Sequence, residues 1–253
     1  MNLFEISVRF LYFLGIDPRK VASIPQFLKY LEDIKKYKSL NGVINKFFPV
    51  IHEFNEEAGS ARGHYFHQDL LVAKFIHKHK PKNHLDIGSK IDGFVAHVAS
   101  FRKIKVFDIR KLQNTGHKNI RFVQADLMSI DDKSRYDSIS CLHAIEHFGL
   151  GRYGDPINPN GHHVAFINII KLLKPKGRLY VSFPIGEKNV TIFNAHRIFS
   201  SLDILKWPMV ASNLLFKRFD YVDDKGLLHK NCKHKIRNII VNYGCGIYTF
   251  EKK

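Results

Sequence analysis

His84-Leu85-Asp86-Ile87-Gly88-Ser89 follows the break Lys80-Pro81-Lys82 and precedes a helix-prone run, Phe94 to Ser100. A short apolar run closed by a glycine and followed by a helix reads as strand, tight turn, helix. The pattern repeats outward. Lys105 to Asp108, Ile120 to Ala125, Tyr136 to Leu142 and Arg178 to Phe183 read as further strands. His162 to Leu173 reads as a helix stopped by Lys174-Pro175-Lys176-Gly177. Phe216 to Val222 and Gly246 to Phe250 read as two last strands joined by a long connection. Strands alternating with helices predict an α/β fold with a doubly wound parallel sheet and helices on both faces.

In such a sheet, ligands sit beyond the carboxyl ends of the strands. Gly88 lets a ligand approach the backbone, and the helix that follows offers unpaired N–H groups to an anion. Asp108 closes the second strand 22 residues after Asp86 (108 − 86). A carboxylate there can accept hydrogen bonds from both ribose hydroxyls. Gln124-Ala125-Asp126-Leu127 closes the third strand. Asp126 there can accept from the exocyclic amine of an adenine, with Leu127 donating its backbone N–H. Acids at three successive strand ends point to a nucleoside-bearing cofactor. The competing reading is a set of solvated loop aspartates.

Several segments together resemble the class I S-adenosylmethionine-dependent methyltransferases. They are Leu85-Asp86-Ile87-Gly88, Asp108, Ala125-Asp126-Leu127, Tyr136-Asp137-Ser138-Ile139-Ser140, His143-Ala144-Ile145-Glu146-His147 and Leu173-Lys174-Pro175-Lys176-Gly177-Arg178-Leu179. Three more resemble an uncharacterised branch of that superfamily, first described in nematodes and also found in bacteria. These are Gly63-His64-Tyr65-Phe66-His67-Gln68-Asp69-Leu70, His147-Phe148-Gly149-Leu150-Gly151-Arg152-Tyr153-Gly154-Asp155 and Tyr221-Val222-Asp223-Asp224. The resemblance implies a Rossmann-like sheet of seven strands over residues 83–253, a helical extension over 1–82, and S-adenosylmethionine as cofactor. It implies cofactor contacts from Asp86, Gly88, Ser89, Asp108, Asp126 and Leu127, with Tyr65 and Gln68 from the preceding helix. Its bacterial members are associated with surface-polysaccharide biosynthesis, so the implied acceptor is a small polar molecule such as a sugar hydroxyl of a glycan precursor. The superfamily usually reads Asp-x-Gly-x-Gly-x-Gly. Here the later positions are Lys90 and Asp92. Lys90 can pair with the methionine carboxylate or obstruct the turn, which keeps open a non-catalytic interaction protein with the same fold.

Methyl transfer from a sulfonium is an in-line displacement, so alignment dominates and an alcohol acceptor needs a base. His147, past the fourth strand, is the base candidate because imidazole titrates near neutrality. Glu146 would orient substrate or cofactor. Arg152, Tyr153 and Asp155 lie on a glycine-rich loop suited to close over an acceptor. The same residues spell His143-x-x-Glu146-His147, the inverted zinc-protease motif. That chemistry needs a long helix and a third ligand, whereas Gly149 and Gly151 cut this segment short. The remaining histidines show no metal-ligand spacing, and no metal is expected.

The chain has 253 residues, 45% hydrophobic and 25% charged, enough for a full core without staples. The net charge is +17, which suits a polyanionic neighbour or a lysine-rich solvated surface. Five basic side chains between Val222 and Gly244 (Lys225, Lys230, Lys233, Lys235, Arg237) would grip a phosphate or form a solvated loop. An RNA methyltransferase is the lesser alternative, because Cys141-Leu142-His143-Ala144 lacks the Asp/Asn-Pro-Pro-aromatic element that holds a flipped base. Cys141, Cys232 and Cys245 form no C-x-x-C pair, which fits a reducing, cytoplasmic setting. No apolar run is long enough to span a membrane. Leu3 to Leu14 is expected as an apolar helix, either packed on its own domain or in peripheral membrane contact. Ser23 and Pro25 are expected to open a second helix, with Phe27, Leu28, Leu31 and Ile34 on one face.

Overall fold

The computed structural model describes residues 7, 10–15, 25–55 and 57–253. Much of the expected Leu3–Leu14 helix, and Ser23 of the next helix start, lie outside these residues. Two compact units divide the chain after Ser60. In the first, helix α1 spans Gln26–Ser39 and is closed by the Leu40 N–H donating to the Lys36 carbonyl. The Lys29 ammonium lies 4.4 Å above the Phe54 ring. No helix among the described residues is long and apolar enough to cross a membrane.

The second unit begins with α2, His64–His79, which the apolar pattern starts only at Asp69 and groups with the N-terminal extension. Its first turn is rich in histidine and glutamine, so no apolar period announces it. It lies with the sheet because Leu71, Val72, Ala73 and Ile76 are buried in the core beside Val106, Tyr180 and Ile247. The basic residues His77, Lys78 and His79 complement the dipole at its C-terminus.

The sheet strands are β1 (His84–Ile87), β2 (Ile104–Asp108), β3 (Ile120–Gln124), β4 (Tyr136–Leu142), β5 (Leu173–Gly186), β6 (Val190–Ile192), β7 (His196–Ser200), β8 (Leu214–Val222), β9 (Leu228–His229) and β10 (Gly244–Lys252). Their main order is β3-β2-β1-β4-β5-β10-β8-β9. The pairs β1–β2, β2–β3, β1–β4 and β4–β5 are parallel, and β10 is antiparallel to both β5 and β8. The expectation is seven strands. Three short ones are additional: β9 pairs with β8, and the hairpin β6–β7 attaches to the end of β5 through Ile185 and Phe199.

Side-chain alternation splits the core between the two faces. On β10, Tyr248 and Phe250 join one cluster with Phe166 and Trp207, while Cys245 and Ile247 join the other with α2. Each fully buried aromatic here contributes roughly 1.5–3 kcal/mol. The segment Lys174-Pro175-Lys176-Gly177 is not a break before β5 but an irregularity within it. The register slips from Tyr136↔Leu173 to Ser138↔Arg178, and Lys176 takes φ +61°. A proline is tolerated in a strand at such a bulge. Strand order reverses between β1 and β4, so a crevice opens at their carboxyl ends.

Candidate functional site

That crevice is a cleft lined by Gly88, Asp108, Arg110, Asp126, Leu127, His143, Ala144, His147, Tyr153 and Asp155, with Ile87, Phe107, Ile109, Ala125 and Phe148. The ends of β1, β2, β3 and β4 therefore meet in one place, in line with the spacing of the acids. Gly88 turns at φ +72°, and its N–H donates to the Phe107 carbonyl at 2.9 Å. A Cβ at this position would lie 2.8 Å from the Ala144 Cβ. Both facts require glycine here.

Asp86 and Ser89 do not line the cleft. The buried Asp86 carboxyl accepts from the Ser89 amide at 3.1 Å, the Ser89 hydroxyl at 2.8 Å and the Ser140 hydroxyl at 2.6 Å. Burial pushes its pKa up to about 7, against these hydrogen bonds. It fixes the shape of the turn, so it is a positioning residue.

Asp108 does line the cleft, but its oxygens already have a partner. Arg110 donates from Nε to Oδ1 at 2.9 Å and from Nη2 to Oδ2 at 2.6 Å, and its own amide donates to Oδ1 at 2.8 Å. The carboxylate in turn raises the Arg110 pKa. The guanidinium also lies 4.6 Å above the Tyr153 ring. A ribose at Asp108 would have to share the carboxylate with Arg110, a residue that the sequence pattern does not single out. Its only signal is the Asp-x-Arg spacing. Asp126 accepts from the Met128 amide at 2.8 Å and the Ser129 hydroxyl at 3.3 Å. Lys90 does not line the cleft. Its ammonium lies 5.3 Å over the Tyr65 ring.

Tyr65 and Gln68 also lie off the cleft lining. Tyr65 packs on the His143 ring with centroids 5.0 Å apart, and burial raises its pKa to about 12. Gln68 is buried and accepts from the Ser182 hydroxyl.

The turn after β4 carries the proposed chemistry. Only Ile145–His147 is helical, a single 3₁₀ turn, so His143 and His147 share no helix face and the inverted zinc-protease arrangement is not formed. Glu146 is buried and does not line the cleft. Its Oε1 accepts from His143 Nδ1 at 2.8 Å and lies 3.8 Å from His147 Nε2. His147 donates from Nδ1 to the Ala195 carbonyl at 2.8 Å. That bond fixes the neutral tautomer and leaves the lone pair on Nε2. Burial lowers the His147 pKa despite the nearby Glu146.

In the glycine-rich loop, Asp155 accepts from the amides of Gly149 (2.8 Å), Gly151 (3.2 Å) and Tyr153 (3.2 Å). It holds the loop while also lining the cleft. Arg152 donates to the Ala195 carbonyl at 2.6 Å and does not line the cleft. Tyr153 alone of the three presents its ring, with the Arg152 guanidinium 5.3 Å from it.

A second residue that the sequence pattern leaves unmarked is Arg197 on β7. It is 5% exposed and donates to the carbonyls of Glu146 (3.3 Å), Phe148 (2.7 Å) and Pro159 (3.3 Å). One side chain thus ties both ends of the loop. Arg197→Leu leaves these carbonyls without their donor. It is expected to lower stability by about 1–3 kcal/mol, read as a urea-midpoint shift. An unchanged midpoint would remove Arg197 from this role.

Comparisons with known proteins address the fold. The family model described as Caenorhabditis protein of unknown function, DUF268, matches residues 102–225. No curated protein matches the sequence. Similar solved structures include the N-methyltransferase NodS from Bradyrhizobium japonicum WM9 in complex with S-adenosyl-L-homocysteine, 12% identical, with TM-score 0.53 over 85% of this chain and 97% of that one. Another is the 1,6-didemethyltoxoflavin-N1-methyltransferase of Burkholderia thailandensis with bound 1,6-didemethyltoxoflavin and S-adenosylhomocysteine, 15% identical, TM-score 0.53, over 74% and 78%. A third is the [4+2]-cyclase SpnF, 12% identical, TM-score 0.54, over 77% and 85%. At these identities the likeness is one of fold.

Proposed function

We propose that this chain, which has the class I methyltransferase fold, binds S-adenosylmethionine and methylates a small polar acceptor. The observation that carries the reading is the convergence of Gly88, Asp108, Asp126 and Leu127 on a single cleft at the strand-order reversal. The cofactor supplies an already activated methyl group. The chain's part is then to align it, exclude water and take one proton. His147 is suited to that proton. Its Nδ1–H is committed to the Ala195 carbonyl, so Nε2 is free to accept from an acceptor hydroxyl. Glu146 Oε1, 3.8 Å away, stabilises the imidazolium that results. A sugar hydroxyl of a glycan precursor fits this chemistry.

Calorimetry with S-adenosylmethionine tests the reading. Asp108→Ala is expected to weaken binding by about 1–3 kcal/mol, the range for lost charge-assisted hydrogen bonds, or roughly 5- to 150-fold. No heat from the wild-type protein at millimolar cofactor would reject the reading. A second reading is a protein that keeps the fold without methylating. The Arg110 clamp on both Asp108 oxygens favours it. The [4+2]-cyclase SpnF has a similar fold. Under that reading Asp108→Ala changes nothing in cofactor binding.

A further inference from the structure

Three residues far apart in sequence meet beside the cleft. His64 opens α2, His143 follows β4, and Cys245 lies on β10. One ligand atom from each lies within 4.8 Å of the other two. His143 also lines the cleft, so the cluster borders it.

Each group has a reason to be where it is. His143 takes φ +48°, a left-handed conformation that costs a non-glycine residue roughly 1–3 kcal/mol and marks functional sites when it recurs there. Its Nδ1 is committed to Glu146 at 2.8 Å. Its other ring nitrogen, Nε2, is buried without a hydrogen-bond partner. The side chain is only 5% exposed. His64 stacks on the His143 ring at 5.2 Å and is hydrogen-bonded to the Tyr243 backbone. Cys245 is fully buried, and its Sγ faces the His143 and His64 ring nitrogens within the 4.8 Å cluster, with Gln68 Oε1 at 3.7 Å and the Gly246 carbonyl at 3.9 Å. A histidine held by a carboxyl through one nitrogen, with the other turned toward a thiol and a second imidazole, has the outer-shell support that metal-ligating histidines have.

We propose that His64, His143 and Cys245 bind one zinc-class divalent ion, leaving a fourth coordination position on the cleft side of His143. Two imidazoles and a thiolate suit zinc, and three protein ligands with one open position are the pattern of catalytic rather than structural sites. Zinc bond lengths of about 2.0–2.3 Å put neighbouring ligand atoms about 3.5 Å apart, so the side chains close by roughly 1 Å on binding. Glu146 stays outside the ligand set and orients His143. Binding replaces the Cys245 S–H bond with a sulfur–metal bond, and the proton leaves to solvent. The open position would take the acceptor's oxygen, nitrogen or sulfur and make it easier to deprotonate, a role that rests on the methyltransferase reading.

The test uses the full chain, stripped with a chelator and titrated with Co²⁺ alone. The expected result is one equivalent per chain. It should show a thiolate-to-cobalt charge-transfer band in the near ultraviolet, intense visible ligand-field bands and displacement by Zn²⁺. Cys245→Ser should lose the charge-transfer band, and His143→Ala and His64→Ala should each weaken binding at least tenfold. His117→Ala, at an exposed histidine outside the cluster, should bind as wild type. Failure of the wild-type protein to bind stoichiometric Co²⁺ overturns the proposal without recourse to any variant. A charge-transfer band that persists in Cys245→Ser also overturns it, because the thiolate would then be another cysteine. Calorimetry of the stripped protein with S-adenosylmethionine separates the two ideas. Cofactor binding without metal binding sinks this site alone, and metal binding without cofactor binding sinks the methyltransferase reading alone.

Discussion

Gly88→Val is expected to destabilise the protein by about 2–5 kcal/mol and to abolish S-adenosylmethionine binding. Two independent costs add. A left-handed conformation costs an L-residue roughly 1–2 kcal/mol, and Gly88 sits at φ +72°. Overpacking a tight contact costs about 1–3 kcal/mol more, and the new Cβ would meet the Ala144 Cβ at 2.8 Å. Ala144 cannot easily retreat. The His143 amide donates to the Ser182 carbonyl at 3.0 Å, and the His147 amide donates to the Ala144 carbonyl at 3.0 Å. The turn is therefore held on both sides. The valine methyls would also enter the floor of the cleft, which Gly88 lines. Gly116 supplies the control. It has φ +69°, and a Cβ there would have nothing within 4 Å, so Gly116→Ala carries only the backbone cost. Urea midpoints of the two variants separate the two costs. If Gly88→Val proves no less stable than Gly116→Ala, the close approach to Ala144 is wrong.

Three of the strands that build the cleft, β1, β2 and β4, are largely buried on both faces, whereas β3 is only half-buried. The apolar residues Val106 and Phe107 mark β2, and Ile139, Cys141 and Leu142 mark β4, while β1 is buried at every position although His84 and Asp86 are polar, so its signal is the glycine turn that follows it. Strand β6 of the β6–β7 hairpin is illegible for the opposite reason. Val190, Thr191 and Ile192 are all exposed, so the segment has no inward face to produce alternation. With the hairpin go Arg197 and the Ala195 carbonyl, which hold the loop and His147. The carboxylates do stand at the expected strand ends. What spacing cannot reveal is which of them are already occupied. Asp86 is taken by two serines, Asp155 by three amides and Asp108 by Arg110. Those partnerships depend on rotamers and turn geometry, to which a one-letter pattern is blind. The His64–His143–Cys245 cluster is further out of reach, because only the packing of α2 against β4 and β10 brings it together.

Acid should unfold the protein partly through one histidine, and His84→Gln should remove that part. His84 is 2% exposed on β1. The Ser140 hydroxyl donates to Asp86, so its oxygen accepts from His84 Nε2 at 3.1 Å, and His84 Nδ1 accepts from the Ser138 hydroxyl at 2.6 Å. The ring is thereby satisfied as the neutral form. Burial, helped slightly by the Arg102 charge, lowers its pKa to about 3 from 6.5. The unfolded chain binds this proton near pH 6.5 and the native chain only near pH 3. Its stability contribution is therefore complete above pH 6.5 and is lost as pH falls toward 3. At 1.36 kcal/mol per pH unit the loss is about 2 kcal/mol at pH 5 and approaches 5 kcal/mol at pH 3. Asp86, two hydrogen bonds away, has the opposite sign. Its pKa of about 7 lies above the usual carboxyl value, so its protonation favours the native state as pH falls from 7 toward 4. The wild-type slope is the sum of the two, with His64 and His162, also held neutral by burial, adding to the acid loss. The informative quantity is thus the difference between His84→Gln and wild type, measured as urea midpoints at pH 7 and pH 5. Glutamine keeps a donor and an acceptor but cannot take the proton. Between those two pH values the variant should lose about 2 kcal/mol less than wild type, the same proton-linkage figure. Equal losses would mean that His84 is already protonated in the native fold, with its Nδ1 donating to the Ser138 hydroxyl instead of accepting from it.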